Sequence, residues 1–320
     1  MVILWIIGGL AVLVALVSFF LGDSAVPTAE LIAKYGAPPS HFIKLPSGAT
    51  AHYRDQGNKA GLTLVLLPAH NDSLHQWEPW VKRLGVDFRI VSVDLPGQGL
   101  TNVAPTEDYT FESTVRFVDE FTSTIGLDKF ALGGNSYGGF IAAHFTLLHP
   151  QRVSHLILIS AGGIRESDMK LPFAMVVATT PIVREVLRFV PLRPVLEGYF
   201  KDSIFDQRSV TPELIDRYWD LNRGPAKGAV ARTRMSIFVR SEPQEDQFLR
   251  ANMGTIAIPT LVLGGAADTG TPPSSARVYA TGIPDARLIL YENVKHFAMI
   301  EVPDRSASDV RAFLGSARQA

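Results

Sequence analysis

Residues 132–140 read "LGGNSYGGF", one serine among four glycines. The apolar run "KFALG" (129–133) precedes the serine, and a helical pattern over 137–149 follows it. Gly134-Asn135-Ser136-Tyr137-Gly138 therefore fits G-x-S-x-G at a strand-to-helix turn. Small neighbours let strand and helix approach without a Cβ clash, so the serine can stand on a sharp turn. Its flanking N–H groups and the helix N-terminus then favour a developing oxyanion. Two phosphate-binding readings fail here. No Lys-Ser/Thr follows the glycines, and the G-x-G-x-x-G spacing is absent. A tight glycine turn without chemistry is the plain alternative.

Outward from this stretch, short β-branched or leucine-rich runs recur: "LTLVLL" (62–67), "FRIVSV" (88–93), "SHLILIS" (154–160), "TLVLG" (260–264) and "RLILY" (287–291). Runs apolar on both faces suit the central strands of a covered parallel sheet. Upstream, His41–Leu45 and Ala49–Asp55 flank "PSG" and read as a hairpin. Helical patterns alternate with the strands. Phe111, Val115, Val118 and Ile125 recur after Thr110, an N-cap candidate, and residues 304–318 form the last helix. Strand alternating with helix predicts an α/β fold with a doubly wound, mostly parallel sheet.

The rhythm breaks once, between Ser160 and Thr260, where about 100 residues stand in place of a simple crossover. "TPEL" (211–214) supplies an N-cap threonine with proline at the first helical position. Residues 164–245 are expected to form an inserted helical cap over the carboxyl edge of the strands, where open α/β folds place ligands. The core is then 41–163 plus 246–320, with a linker over 23–40.

Residues 2–22, "VILWIIGGLAVLVALVSFFLG", carry no charge. At 1.5 Å per residue such a helix spans about 31 Å, close to the hydrocarbon thickness of a bilayer. No basic n-region precedes it, and the small-residue site ending at Ala25 has Asp23 at −3. An uncleaved N-terminal membrane-anchoring hydrophobic helix is expected, with a cleaved signal peptide and secretion as the alternative. Orientation is undetermined, since only Lys34 and Lys44 follow nearby.

Composition excludes other classes. The 320 residues carry a formal charge of −1, and no basic run suggests a nucleic-acid groove. There are no cysteines, which removes disulfides, thiolate metal sites and a cysteine nucleophile.

A serine nucleophile needs a base, and eight histidines compete. His41 and His52 lie in the hairpin, His144 and His149 on the helix after Ser136, and His155 in a strand. These read as packing or surface residues. His70 and His75 follow the third strand. His296 follows the last strand in "ENVKHF", where a doubly wound sheet presents an imidazole beside the nucleophile. Asp268, in "GGAADTGTPP" after the strand at 260–264, is the candidate to orient it. Asp94 and Asp168 are weaker acid candidates. The order Ser136, Asp268, His296 is the order Ser…Asp…His.

On these residues the chain resembles the α/β-hydrolase superfamily, in its serine-nucleophile branch, from about residue 40 to the end. "LVLL…SLHQW", "VDLPGQGLT", "GNSYGG" with "HPQRVSHLILIS", "GGAADTGTPP" and "HFAMIEVP" carry the resemblance in the family's order. Ser136 stands where dehalogenases and epoxide hydrolases of this fold have aspartate. The resemblance implies an oxyanion hole from the N–H groups of His70 and Tyr137. It also shows two departures. Pro68-Ala69 replaces the usual His-Gly, and Lys295 replaces the glycine before the histidine, adding a cation near the entrance.

What the resemblance implies is a serine hydrolase acting on a carboxylic ester or related apolar acyl substrate, with no metal or organic cofactor. Carbon–carbon-bond hydrolysis of ring-fission diketones is the alternative, with lactonase or haloperoxidase-like activity compatible with the same residues. Phe173, Met175 and Val177 of the cap are candidates to line the pocket or to form the cap's own core. A membrane-tethered binding protein on the same fold is the non-enzymatic alternative.

Overall fold

The computed structural model describes residues 25–102, 109–170, 193–224 and 243–316, together with Ile237 and Ser241. Eight strands form one sheet: β1 (Ser40–Lys44), β2 (Thr50–Gly57), β3 (Thr63–Leu67), β4 (Arg89–Val93), β5 (Phe130–Asn135), β6 (Val153–Ile159), β7 (Thr260–Gly265) and β8 (Ala286–Tyr291). Their order is β1-β2-β4-β3-β5-β6-β7-β8. β1 with β2 and β2 with β4 run antiparallel, and every other pair is parallel. The hairpin, the six apolar runs and the mostly parallel sheet all appear where the sequence puts them.

Side chains alternate across each strand and so feed two apolar layers. Val65 and Leu67 point to the layer that holds Phe121, Phe140 and Tyr279; Leu64 and Leu66 point to the layer of Trp77, Trp80 and Phe297. The first layer is covered by the helices Phe111–Thr124, Tyr137–Leu148 and Pro273–Gly282. The second is covered by Glu78–Leu84 and Pro303–Ser316, which Trp80 joins by donating its indole N–H to Ser306 Oγ at 2.9 Å. Each such fully buried leucine or phenylalanine stabilises the fold by about 1.5–3 kcal/mol. Thr110 Oγ1 accepts from Ser113 N at 3.3 Å, so the expected N-cap starts its helix.

Between β6 and β7 the described residues include two helices, αA (Arg193–Ser203) and αB (Pro212–Asn222). Thr211 Oγ1 accepts from Leu214 N at 3.2 Å with Pro212 at the first position, as its sequence demands. Phe200, Ile204, Leu214, Ile215 and Tyr218 bury against the layer of Trp77 and Phe297. The candidate pocket residues Phe173, Met175 and Val177 lie outside the described residues.

The N-terminal apolar stretch 2–22 also lies outside them, and among the described residues no helix is long and apolar enough to cross a membrane. Within the expected linker, Thr28–Tyr35 is helical. Lys34 Nζ and Tyr35 Oη both donate to Asp220 Oδ2, at 2.7 and 2.8 Å, and so tie this helix to αB.

Candidate active site

Ser136 sits between the end of β5 and the start of the helix Tyr137–Leu148, with φ 53° and ψ −115°. A left-handed φ costs a non-glycine residue free energy, and the neighbouring glycines are what permit it here. A Cβ on Gly134 would overlap the Gly138 backbone, and one on Gly138 would overlap the carbonyls of Leu67 and Pro68. Ser136 is held at both backbone ends. Its N–H donates to Ile159 O at 2.9 Å, and its carbonyl accepts from Phe140 N and Gly162 N, both at 3.0 Å.

His296 and Asp268 meet across 28 residues of sequence. Nδ1 of His296 lies 2.8 Å from Asp268 Oδ2. The second oxygen, Oδ1, accepts from Gly270 N at 2.9 Å and Thr271 N at 3.1 Å. Thr271 Oγ1 donates to Oδ2 at 2.7 Å and lies 3.2 Å from His296 Nδ1. Burial of Asp268 opposes ionisation, but His296, Thr271 and the backbone N–H groups outweigh it and hold the carboxyl below its usual pKa. The pair is therefore an ionised carboxylate against the His296 Nδ1, which fixes the ring orientation.

Asn135 connects this pair to the elbow. Its Nδ2 donates to Ile159 O and to His296 O, both at 3.1 Å, so the residue beside Ser136 grips the backbone of the histidine.

The loop after β3 reaches the same place. Gly138 packs on Leu67 and Pro68, and the His70 and Tyr137 rings meet edge-on at 5.4 Å. The His70 ring thus packs on Tyr137. Ala69 closes no door in this loop, because the left-handed position falls on Asn71 (φ 60°), a residue that tolerates it. Two inserted side chains clamp the loop from above: Tyr218 Oη donates to His70 O at 3.3 Å, and Asn222 Nδ2 to Asn71 O at 2.8 Å. Next along is Asp72, 4% exposed, whose Oδ1 accepts from Ser73 N at 2.7 Å while Oδ2 has no partner among the described residues. Burial raises its pKa to about 6, against the pull of Ser73 N–H and Arg217; Asp94 adds to the rise.

The weaker acid candidates are engaged elsewhere. Asp94 pairs with His52, Nδ1 to Oδ2 at 2.6 Å, and both side chains are fully buried. Asp168 accepts from Ser274 Oγ at 2.6 Å. Lys295, expected from sequence as a cation near the entrance, donates through Nζ to Asp202 O at 2.7 Å. His144 lies against Phe248, Phe111 and Phe140, and burial lowers its pKa to about 4, consistent with a packing role. Thr271, Asn135 and Asp72 went unnoticed in the sequence. Only Thr271, three residues after Asp268, carried a local signal, since that spacing lets a hydroxyl turn back onto the carboxylate. Among the described residues no group of three or more His, Cys, Asp or Glu is placed to hold a metal ion.

Residues 63–303 match the family model described as alpha/beta hydrolase fold. One relative is a 2-hydroxy-6-oxononadienedioate/2-hydroxy-6-oxononatrienedioate hydrolase of Dechloromonas aromatica. It is 26% identical over 291 residues, covering 87% of this chain and 96% of that protein. A monoacylglycerol lipase of Xenopus laevis is 27% identical over 267 residues, covering 81% of this chain and 77% of that one. A solved membrane phospholipase A, described as a bacterial virulence factor, superposes with a TM-score of 0.74 at 23% identity. That match covers 92% of this chain and 93% of the other.

Proposed function

Because this chain belongs to the alpha/beta hydrolase fold family, whose relatives here are hydrolases, we propose that it is a serine hydrolase of carboxylic esters working through Ser136, His296 and Asp268. The observation that carries the reading is the left-handed backbone of Ser136. A turn with no task would take glycine there, whereas this one spends conformational strain on a side chain with a hydroxyl.

In this reading His296 Nε2 takes the proton of Ser136 Oγ as the oxygen attacks the ester carbonyl carbon. Asp268 holds the imidazole by Nδ1 and stabilises its cation, with Thr271 supporting the same carboxylate oxygen. The N–H groups of His70 and Tyr137 receive the oxyanion. The imidazolium returns the proton to the leaving alcohol, the acyl group stays on Ser136, and a water deprotonated by His296 releases it as carboxylate. The inserted helices αA and αB act as a cap over the site, with the clamp of Tyr218 and Asn222 on residues 70–71 supporting that role.

The activity of the lipase relative favours an acyl ester. That of the Dechloromonas relative favours a second reading, carbon–carbon hydrolysis of a ring-fission diketone. A serine-directed fluorophosphonate labels wild type and spares Ser136→Ala; absence of labelling in both would remove the enzymatic reading in favour of a binding protein on this fold. A panel of p-nitrophenyl esters of rising chain length beside a ring-fission diketone separates the two reactions by kcat/KM.

The apolar run 2–22 supports membrane anchoring as part of this proposal, and a lipid-derived acyl substrate would suit it. Full-length protein should stay with membranes on carbonate extraction. Release into the soluble fraction would refute the anchor.

A further inference from the structure

His296 is strung between two bodies of the molecule. Its carbonyl accepts from Asn135 Nδ2 in the core, and its N–H donates to Ser203 O, at the end of αA, at 3.0 Å. The residue before it repeats the link, since Lys295 Nζ reaches Asp202 O at 2.7 Å. The residue after it adds an apolar contact, Phe297 against Phe200 of αA with ring centroids 5.9 Å apart.

One carboxylate closes this seam. Glu301 Oε2 accepts from Phe205 N at 2.6 Å, and its Oε1 accepts from Lys295 N at 3.0 Å. One oxygen therefore serves the segment that follows αA, and the other serves the loop that carries the imidazole. Burial raises the Glu301 pKa, and the backbone N–H groups around it, from Phe205, Lys295, Phe297 and Asp206, pull it back. Partly buried Glu301 thus takes backbone donors from two separate chain segments. The arrangement suits a staple between insertion and histidine loop better than a helix cap.

We propose that Glu301 is a positioning residue that locks the His296 loop to the inserted segment 202–206, so that the imidazole is aligned on Asp268 only while that segment is seated. This rests on the hydrolase reading for its effect on turnover, but not for the coupling itself. Seating the insertion and completing the site are then one event. A substrate bulky enough to prop αA outward loses turnover more than binding, because the group displaced is the base and not a binding contact.

The test uses the full-length protein and Glu301→Gln, whose amide keeps the size but offers only one acceptor oxygen to the two N–H groups. Its kcat on the best p-nitrophenyl ester should fall by roughly 100-fold, the cost of a small misplacement of a catalytic group, with KM changed by no more than about twofold. The spectroscopic readout is the downfield proton NMR signal of the His296 Nδ1–H against Asp268, assigned by its loss in His296→Ala. In Glu301→Gln it should broaden or disappear, while the corresponding signal of the His52–Asp94 pair stays as an internal control of the fold. Wild-type kcat together with an intact His296 signal overturns the proposal. Should Glu301→Gln not fold, Lys295→Met cuts the parallel link to Asp202 O. It should lower kcat several-fold with KM held and broaden the same signal; no change in either overturns the coupling. Wild type that labels no serine would sink the hydrolase reading instead, and the NMR result would still decide the staple.

Discussion

His296 and His52 each hold an aspartate through Nδ1, at 2.8 Å from Asp268 and 2.6 Å from Asp94. Both carboxylates also accept two backbone N–H groups: Gly270 and Thr271 for Asp268, Leu74 and Leu100 for Asp94. In both, partners outweigh burial and keep the aspartate below its usual pKa. Judged by local chemistry the pairs are nearly the same. Their places in the sheet separate them. Asp268 and His296 follow two adjacent parallel strands, β7 and β8, on the edge where β5 presents Ser136. His52 lies on antiparallel β2, stacked on Phe42 at 4.9 Å, and its Nε2 is buried with no hydrogen-bond partner among the described residues. An imidazole needs a free face to move protons, and buried His52 offers none, so the proposed catalytic role falls to the first pair. A histidine–aspartate contact is thus no sign of function by itself.

Breaking each pair should expose that division. Asp268→Asn keeps the shape but presents a donor where the imidazole needs an acceptor. Turnover should fall by roughly 10,000-fold with the protein still folded, as read by ester hydrolysis beside a melting curve. Asp94→Ala should do the reverse. It strands His52 and the N–H groups of Leu74 and Leu100 in a dry interior, at a cost of about 3–5 kcal/mol in urea unfolding. Activity per folded molecule should change less than about tenfold. An Asp94 variant that loses turnover as Asp268→Asn does, with little loss of stability, would show that both pairs serve the reaction.

The pair proposed to work was readable in the sequence and the other pair was not. Asp268 and His296 stand in loops just after apolar runs that are plainly strands, and the order of elements along a doubly wound sheet brings such loops to one edge. The Ser136 elbow was legible for a like reason, because its glycines are demanded by backbone overlap. His52 and Asp94 meet only because β2 runs antiparallel to β4 in the register Tyr53↔Val93, and nothing local to either residue fixes that register. Glu301 was visible only as a letter in "HFAMIEVP", since its partner Phe205 is 96 residues away. The helix Thr28–Tyr35 was read as linker because its single buried side chain, Leu31, makes no periodic stripe.

Asp72 sharpens the comparison, for it is a buried carboxyl with no histidine. It feels Asp94 as a repelling charge and Arg217 as an attracting one, and its Oδ2 has no partner among the described residues. The sign of its pH effect is therefore opposite to that of the paired aspartates. Asp94 and Asp268, with lowered folded pKa values, contribute stability above the ordinary aspartate range and lose it as the medium is acidified through their folded values. Asp72 has its folded pKa raised from 3.8 to about 6, so between those two values the folded chain keeps a proton that the unfolded chain releases. Its contribution is fully present below the lower value and is lost as pH rises through the upper one, by on the order of 3 kcal/mol at most. Asp72→Asn removes the ionisation and keeps the shape. Its gain over wild type should be near zero at the acid end of that window and greatest above it, measured by urea unfolding on either side. A variant that instead falls further below wild type as pH rises would mean that the Asp72 carboxylate is compensated in the folded protein after all. It would then belong with Asp94 and Asp268, and an imidazole would not be what separates a buried carboxylate that stabilises this fold from one that strains it.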